Sequence, residues 1–182
     1  MEYTTERGIT IDVTPIPMFL DELQRSYPDA PEPTYTETQA GGATREIALT
    51  EADMALAQVE NPEWYEQYRE IWDSYQKAAN ERSAKVNDAV WRAICLRAIR
   101  LDLPADNEWV EDQESLGMTV PTIPRDRKVH YIRTEVVGGP RDMIRITALA
   151  AGVNIDEEAM AGVEASFRGL VQGAFAPEPP RS

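Results

Sequence analysis

Histidine and cysteine are almost missing from this sequence: there is one of each, His130 and Cys95, among 182 residues. A lone cysteine excludes an intrachain disulfide. A lone histidine argues against a zinc centre, which normally takes about three or four protein ligands. His130 stands between Val129 and Tyr131 with no second ligand at a useful spacing, and is expected to pack or to face solvent. Nucleophilic catalysis needs a nucleophile beside an activating base. Cys95 falls in the apolar stretch of a predicted helix, where a cysteine packs as a small hydrophobe. Bases are also scarce, 18 Lys and Arg against 32 Asp and Glu, for a net charge of −14. That deficit opposes binding to a phosphate backbone, which needs cations to replace counterions, and docking on an anionic membrane surface. Long apolar runs are absent too: none approaches the roughly 18 residues needed to cross a bilayer. Residues 1–10 have neither the basic nor the apolar part of a secretory signal. The expectation is a cytoplasmic protein with neither nucleic acid nor membrane as partner.

Other chemistries lack their patterns. The acidic run from Asp102 to Glu114 has neither the glycine nor the terminal glutamate of a calcium loop. Gly41-Gly42 and Gly138-Gly139 lack the spacing and the Gly-Lys-Ser/Thr of a phosphate loop, and fit ordinary turns. Ala148 to Gly152 followed by Val153 resembles the turn of a helix-turn-helix. The second helix would open on Asp156-Glu157-Glu158, which repels the phosphates it should meet. No catalytic residue, cofactor or metal site is assigned, and the chain is expected to work as a binding protein rather than an enzyme.

What is present is helical pattern. Hydrophobic residues make up 42% of the chain, enough for a core. Residues 9–13 alternate apolar and polar as a short strand. Pro15-Ile16-Pro17 suits the first turn of a short helix on which Ile16, Phe19, Leu20 and Leu23 share a face, ended by Tyr27-Pro28. Residues 28–33 carry three prolines and read as an extended linker. A β-hairpin follows with its turn at Gly41-Gly42. Thr50 with Asp53 resembles a capping box, opening a helix over 51–59 that carries Met54, Leu56 and Val59.

The clearest element starts at Asn61-Pro62-Glu63, an N-cap, a first-turn proline and an acid at the positive end of the helix dipole. Apolar residues then recur as Trp64, Tyr68, Ile71, Tyr75 and Ala78, with Tyr65 and Trp72 alongside. The stripe resumes as Val86, Ala89, Val90, Ala93, Ile94 and Ile99 before Pro104. Unbroken from 62 to 101, this helix would be about 60 Å long, against roughly 40 Å for a compact domain of this length. It must therefore protrude, break near Asn80, or pack against a partner. Small helices follow. Asp106–Leu116 would bury Trp109, Val110, Gln113 and Leu116 and stop at Gly117. Asp126–Val137 fits helix or strand. In Arg141–Ala151, either Ile144 with Ala148 or Met143 with Ile146 and Ala150 faces in. After Gly152, a last helix capped by Asp156 would carry Met160, Val163, Phe167 and Leu170. The predicted fold is mainly α with a small N-terminal β element, a strand plus a hairpin. It divides into an α+β segment over 1–60, a long helix over 61–103, a bundle of short helices over 104–176 and a disordered tail over 177–182.

Charge is uneven along this order. Residues 1–60 hold 12 acids and 3 bases, residues 61–101 hold 6 and 7, and residues 102–124 hold 6 acids and no base. The long helix is locally neutral, and a neutral aromatic helix sheds water against a partner more cheaply than an acidic one. A stripe of this spacing is ordinarily core. Here the excess length, and rings that cannot all face one way (Trp64 and Tyr65 are adjacent), point to a surface for another protein or for a second copy of the chain. Trp and Tyr suit such surfaces by joining large apolar area to a polar handle. The candidate contact residues are Trp64, Tyr65, Tyr68, Ile71, Trp72 and Tyr75, with Phe19 beside them.

The layout resembles the tail assembly chaperones of long-tailed bacteriophages. The carrying features are the N-terminal strand with Pro15-Ile16-Pro17, the proline-rich segment ending at Tyr35, and Asn61-Pro62-Glu63 opening a long helix. To these add Leu116-Gly117 with Pro121 after a Trp-containing segment, and Leu149-Ala150-Ala151-Gly152-Val153 before a closing helix containing Phe167. The resemblance implies no catalytic residues. It implies binding to the tape measure protein, keeping that long apolar helix soluble, and helping tail-tube subunits polymerise around it.

Overall fold

A computed structural model describes residues 1–39, 41–105, 107–156, 158–159 and 161–162. The chain is mainly α, with a small N-terminal antiparallel sheet, one long central helix and short C-terminal helices. It forms two compact units, residues 1–22 with 90–182 and residues 23–89.

In the first unit, β1 (Glu2–Thr4) pairs antiparallel with β2 (Thr10–Val13), placing Tyr3 opposite Ile11. Alternation puts Ile11 and Val13 inside. The predicted strand is present; its partner β1, only three residues long, carries too short a pattern to read. The helix α1 (Pro17–Arg25) follows, burying Leu20.

The long helix α3 (Pro62–Ala93) runs unbroken through Asn80, so of the three alternatives the break there is not taken. It also stops short of residue 101. Its continuation, Ile94–Ala98, is a π-helical turn in which the Ile99 N–H reaches back to the Ile94 carbonyl. The chain then extends into β5 (Ile99–Arg100), which joins the sheet with Ile99 opposite Val13. The Thr14 N–H donates to the Ala98 carbonyl at 2.9 Å. The β-branched Ile99 gains a buried sheet position that a further helical turn would deny it. Cys95 lies buried in the π turn.

The helix α4 (Glu108–Ser115) buries Trp109 and Gln113. Leu116, expected to face in, is 72% exposed. It sits on the C-cap just before Gly117, whose positive φ of 78° turns the chain away. The ambiguous 126–137 stretch is helical: α5 (Pro124–Tyr131) runs into a second π turn, Ile132–Val136, and Val129, Ile132 and Val136 are buried as the helical pattern requires. The helix α6 (Pro140–Ala150) buries Ile146, Ala148, Leu149 and Ala150. The second of the two faces considered is therefore nearer the truth, except that Met143 is 43% exposed.

The N-terminus of α6 is tied to the sheet by Asp142, which is fully buried. Its carboxylate accepts from the Tyr3 hydroxyl at 2.6 Å, from the Glu6 N–H at 3.1 Å and from the Gly138 N–H at 2.7 Å. A third-position carboxylate also faces the positive end of the helix dipole. Gly138 and Gly139 do more than turn the chain. A Cβ on Gly138 would lie 2.8 Å from the Glu6 Cβ, so only glycine admits this approach.

In the second unit, β3 (Thr34–Thr38) and β4 (Thr44–Ala48) form the predicted hairpin, with Tyr35 opposite Ile47. Gly41 and Gly42 take the positive φ angles, 118° and 84°, that the turn requires. The helix α2 (Glu51–Glu60) opens on the predicted capping box, Thr50 with Asp53. Met54 and Ala57 face in. Leu56 and Val59 do not, and Val59 is 81% exposed. At about 100° per residue they lie across the helix from Met54. Asn61 ends α2 and opens α3, its side-chain oxygen accepting from the Trp64 N–H at 3.3 Å.

The last predicted helix, with Met160, Val163, Phe167 and Leu170, and the tail from 177 lie outside the described residues. The cap itself is present: the Asp156 carboxylate accepts from the Ala159 N–H at 2.7 Å.

Candidate protein-binding surface

Between Pro62 and Lys85, no α3 side chain is fully buried; Trp64, Tyr65, Tyr68, Trp72 and Tyr75 are half-buried and Ile71 is 42% exposed. Further along the same helix, Val86, Val90, Trp91 and Ala93 are buried. Residues 64, 68, 71 and 75 share one side of α3, and 65 and 72 lie roughly a quarter-turn away, by the helical repeat of about 100° per residue.

The hairpin engages only one end of this face. The Tyr35 ring meets Trp64 edge-on with centroids 5.5 Å apart and Tyr68 at 5.0 Å, while Trp64 and Tyr68 lie 4.7 Å apart. Such geometry adds about 0.5–1.5 kcal/mol per pair beyond area burial. Trp72 and Tyr75 form a separate pair at 5.5 Å. Tyr35 is thus a member of the surface that the helical pattern alone could not supply, because its partners are brought to it by strand pairing.

Beyond the ring cluster, a groove of about 550 Å³ runs between the proline-rich segment Pro31–Thr34 and α3, where Ile71, Ser74, Tyr75 and Ala78 form its floor. The segment is held as a wall at both ends. At one end the Arg82 guanidinium donates to the carbonyls of Pro28 (2.8 Å) and Tyr27 (3.0 Å) and pairs with Asp29 at 2.7 Å. At the other, the Leu49 N–H donates to the Pro33 carbonyl at 2.8 Å. Glu32 and Glu70 stand on the rim. Residues 23–89 hold 13 acids and 6 bases, so the field over the groove is negative.

Phe19 belongs to the other unit. The Arg97 guanidinium lies over its ring, 3.9 Å from the centroid, a cation–π contact that covers one face.

A second, polar cleft of about 650 Å³ lies in the first unit, lined by Arg7, Gln113, Arg133 and Glu135 among others. Gln113 donates to Glu135 at 2.6 Å. The two hydroxyls on its wall are occupied by main-chain carbonyls: Ser115 donates to Asp112 at 2.7 Å and Thr134 to His130 at 3.1 Å. Neither is paired with a base, which is what nucleophilic attack requires. His130 packs near Trp109, centroids 6.4 Å apart. Among the described residues no group of three or more His, Cys, Asp or Glu could hold a metal ion, and no helix is long and apolar enough to cross a membrane. No protein-family model, curated protein or solved structure matches the chain.

Proposed function

We propose that the chain is a phage tail assembly chaperone that binds the tape measure protein through the aromatic face of α3 and keeps it soluble until tail-tube subunits polymerise. The observation that supports this reading is the incomplete cover over Trp64–Tyr75, beside a groove whose proline-rich wall is fixed in place. A row of half-buried rings next to an open apolar floor suits an amphipathic helix laid in a groove. The acidic rim favours a partner helix that carries Lys or Arg beside its apolar stripe. On this reading the chain is a binding protein without catalytic activity, acting in the host cytoplasm.

Co-expression with the neighbouring tail proteins tests it. A soluble complex containing the tape measure protein is expected on pull-down. If that protein stays insoluble and unbound, the chaperone reading fails. A structural virion subunit is the competing role, and mass spectrometry of purified particles separates the two: a chaperone is absent from them.

A further inference from the structure

Among the described residues the hairpin β3–β4 is a sheet of its own, so both of its outer edges are open. Its register fixes which main-chain groups those edges present. The Leu49 N–H donates to the Pro33 carbonyl and the Gln39 N–H to the Ala43 carbonyl, both at 2.8 Å. Hydrogen-bonded and non-hydrogen-bonded pairs alternate along an antiparallel ladder. The bonded pairs are therefore 33/49, 35/47, 37/45 and 39/43, and the pairs between them are 34/48, 36/46 and 38/44. Thr34, Thr36 and Thr38 thus turn their N–H and C=O groups outward along β3, and Thr44, Glu46 and Ala48 do so along β4. We infer that the β3 edge pairs antiparallel with the β3 edge of a second copy of the chain, about a two-fold axis at Thr36, joining two hairpins into one four-stranded sheet.

Three observations carry this. First, nothing blunts the β3 edge. Sheet edges are commonly protected by a charge or a proline, yet the outward positions of β3 are all threonine, a residue that favours strands. Pro33 does not interfere. It shares the inward parity of Tyr35, so the donor that it lacks would have faced β4. Second, the β3 edge complements itself, as a two-fold contact requires. Thr36 meets Thr36 of the second copy, Thr34 meets Thr38, and Tyr35 meets Glu37. Opposed threonines are a favourable cross-strand pair, and no like charges meet. Third, the β4 edge fails the same test, because its two-fold pairing sets Glu46 against Glu46. Charge therefore selects β3.

The gain is of two kinds. Main-chain hydrogen bonds supply the affinity, as in strand addition generally. A two-stranded hairpin is also marginal alone, whereas three or more strands hold a sheet together. This pairing rests on the β3 main chain and is independent of the function proposed for the α3 face.

The test is sedimentation equilibrium of the full chain, with amide hydrogen exchange followed by NMR. A reversible dimer is expected. The Thr34, Thr36 and Thr38 amides should exchange several-fold more slowly once the protein is concentrated through the transition. Thr36→Pro removes the central outward N–H without touching a β3–β4 bond. Thr36→Lys leaves the main chain intact and sets like charges on the axis. Both should weaken the dimer several-fold while the helical circular dichroism is unchanged, and Glu46→Pro, on the other edge, should leave the dimer in place. A chain that stays monomeric at millimolar concentration would overturn the inference, as would a dimer that persists through both Thr36 substitutions. Slowing of these amides only when a different protein is added would overturn it too, by showing that the edge receives a foreign strand.

Discussion

The two units spend their apolar residues in opposite ways. Among the described residues, unit 1 (1–22 with 90–182) contains every one of the largest fully buried side chains, including Ile11, Ile94, Ile99, Ile132 and Ile146. Unit 2 (23–89) contains none of them, yet it holds seven of the chain's eleven Trp and Tyr residues. Its own buried apolar side chains among the described residues, Leu49, Met54, Ala57 and Val86, are few. Large rings are the most effective core formers by area. A unit that holds most of them and buries none completely is using them as surface, whereas unit 1 builds its interior from close-packed β-branched aliphatics.

Substitutions should separate the two regimes. The largest effect is expected for Ile146→Ala, which empties a fully buried site in α6. It should cost about 2–5 kcal/mol in urea unfolding, while Ile71→Ala, on the open face, should stay within about 0.5 kcal/mol. Comparable losses at both positions would break the comparison. Next, Asp142→Ala strands the Tyr3 hydroxyl and the Glu6 and Gly138 amides inside the protein. A loss of about 3 kcal/mol is expected, in line with roughly 1–3 kcal/mol for each buried polar group left unpaired and some local relaxation.

The same anchor predicts a pH dependence. Burial, and then the Asp142 carboxylate to which it donates, push the Tyr3 phenol above its ordinary value of 10.0. Below that value both the folded and the unfolded chain keep the proton and the contribution is complete. Above it the unfolded chain ionises while the folded one does not, so stability falls as pH rises. Tyr3→Phe should lose about 1 kcal/mol at neutral pH and show a flatter decline in alkali, as measured by urea unfolding across that range. A small effect on stability is expected for Arg82→Met, because Asp29, its ion-pair partner, is almost fully exposed. The change should be under about 1 kcal/mol. Partner binding should nonetheless weaken several-fold as the wall at Pro31–Thr34 loosens, a split that calorimetry and urea unfolding would resolve together.

Elements announced by local chemistry were legible in the sequence. The Thr50–Asp53 box, the Gly41-Gly42 turn, the Asn61-Pro62 start and the Gly117 and Gly152 stops all stand where short-range rules put them. What escaped depends on distant partners. β5 is two residues, readable only once Val13 is known to lie opposite Ile99. Nothing local marks Asp142, since two of the three residues whose donors it accepts from, Tyr3 and Glu6, are more than 130 residues away. The helix α2 buries Met54 and Ala57 instead of the larger Leu56 and Val59, a choice of face that its own pattern does not announce. Of the candidate surface, the α3 rings were visible from spacing alone. Tyr35 and the clamped proline wall were not, because strand pairing and the Arg82 contacts assemble them.

The measurement closest to the central claim is the double substitution Tyr68→Ala with Trp72→Ala, assayed for partner capture and for helicity by circular dichroism. If the rings are a working surface, capture is lost while the helical signal and the urea midpoint of unit 1 stay at parental values. Unfolding of α3, or capture that survives without the rings, would contradict the account.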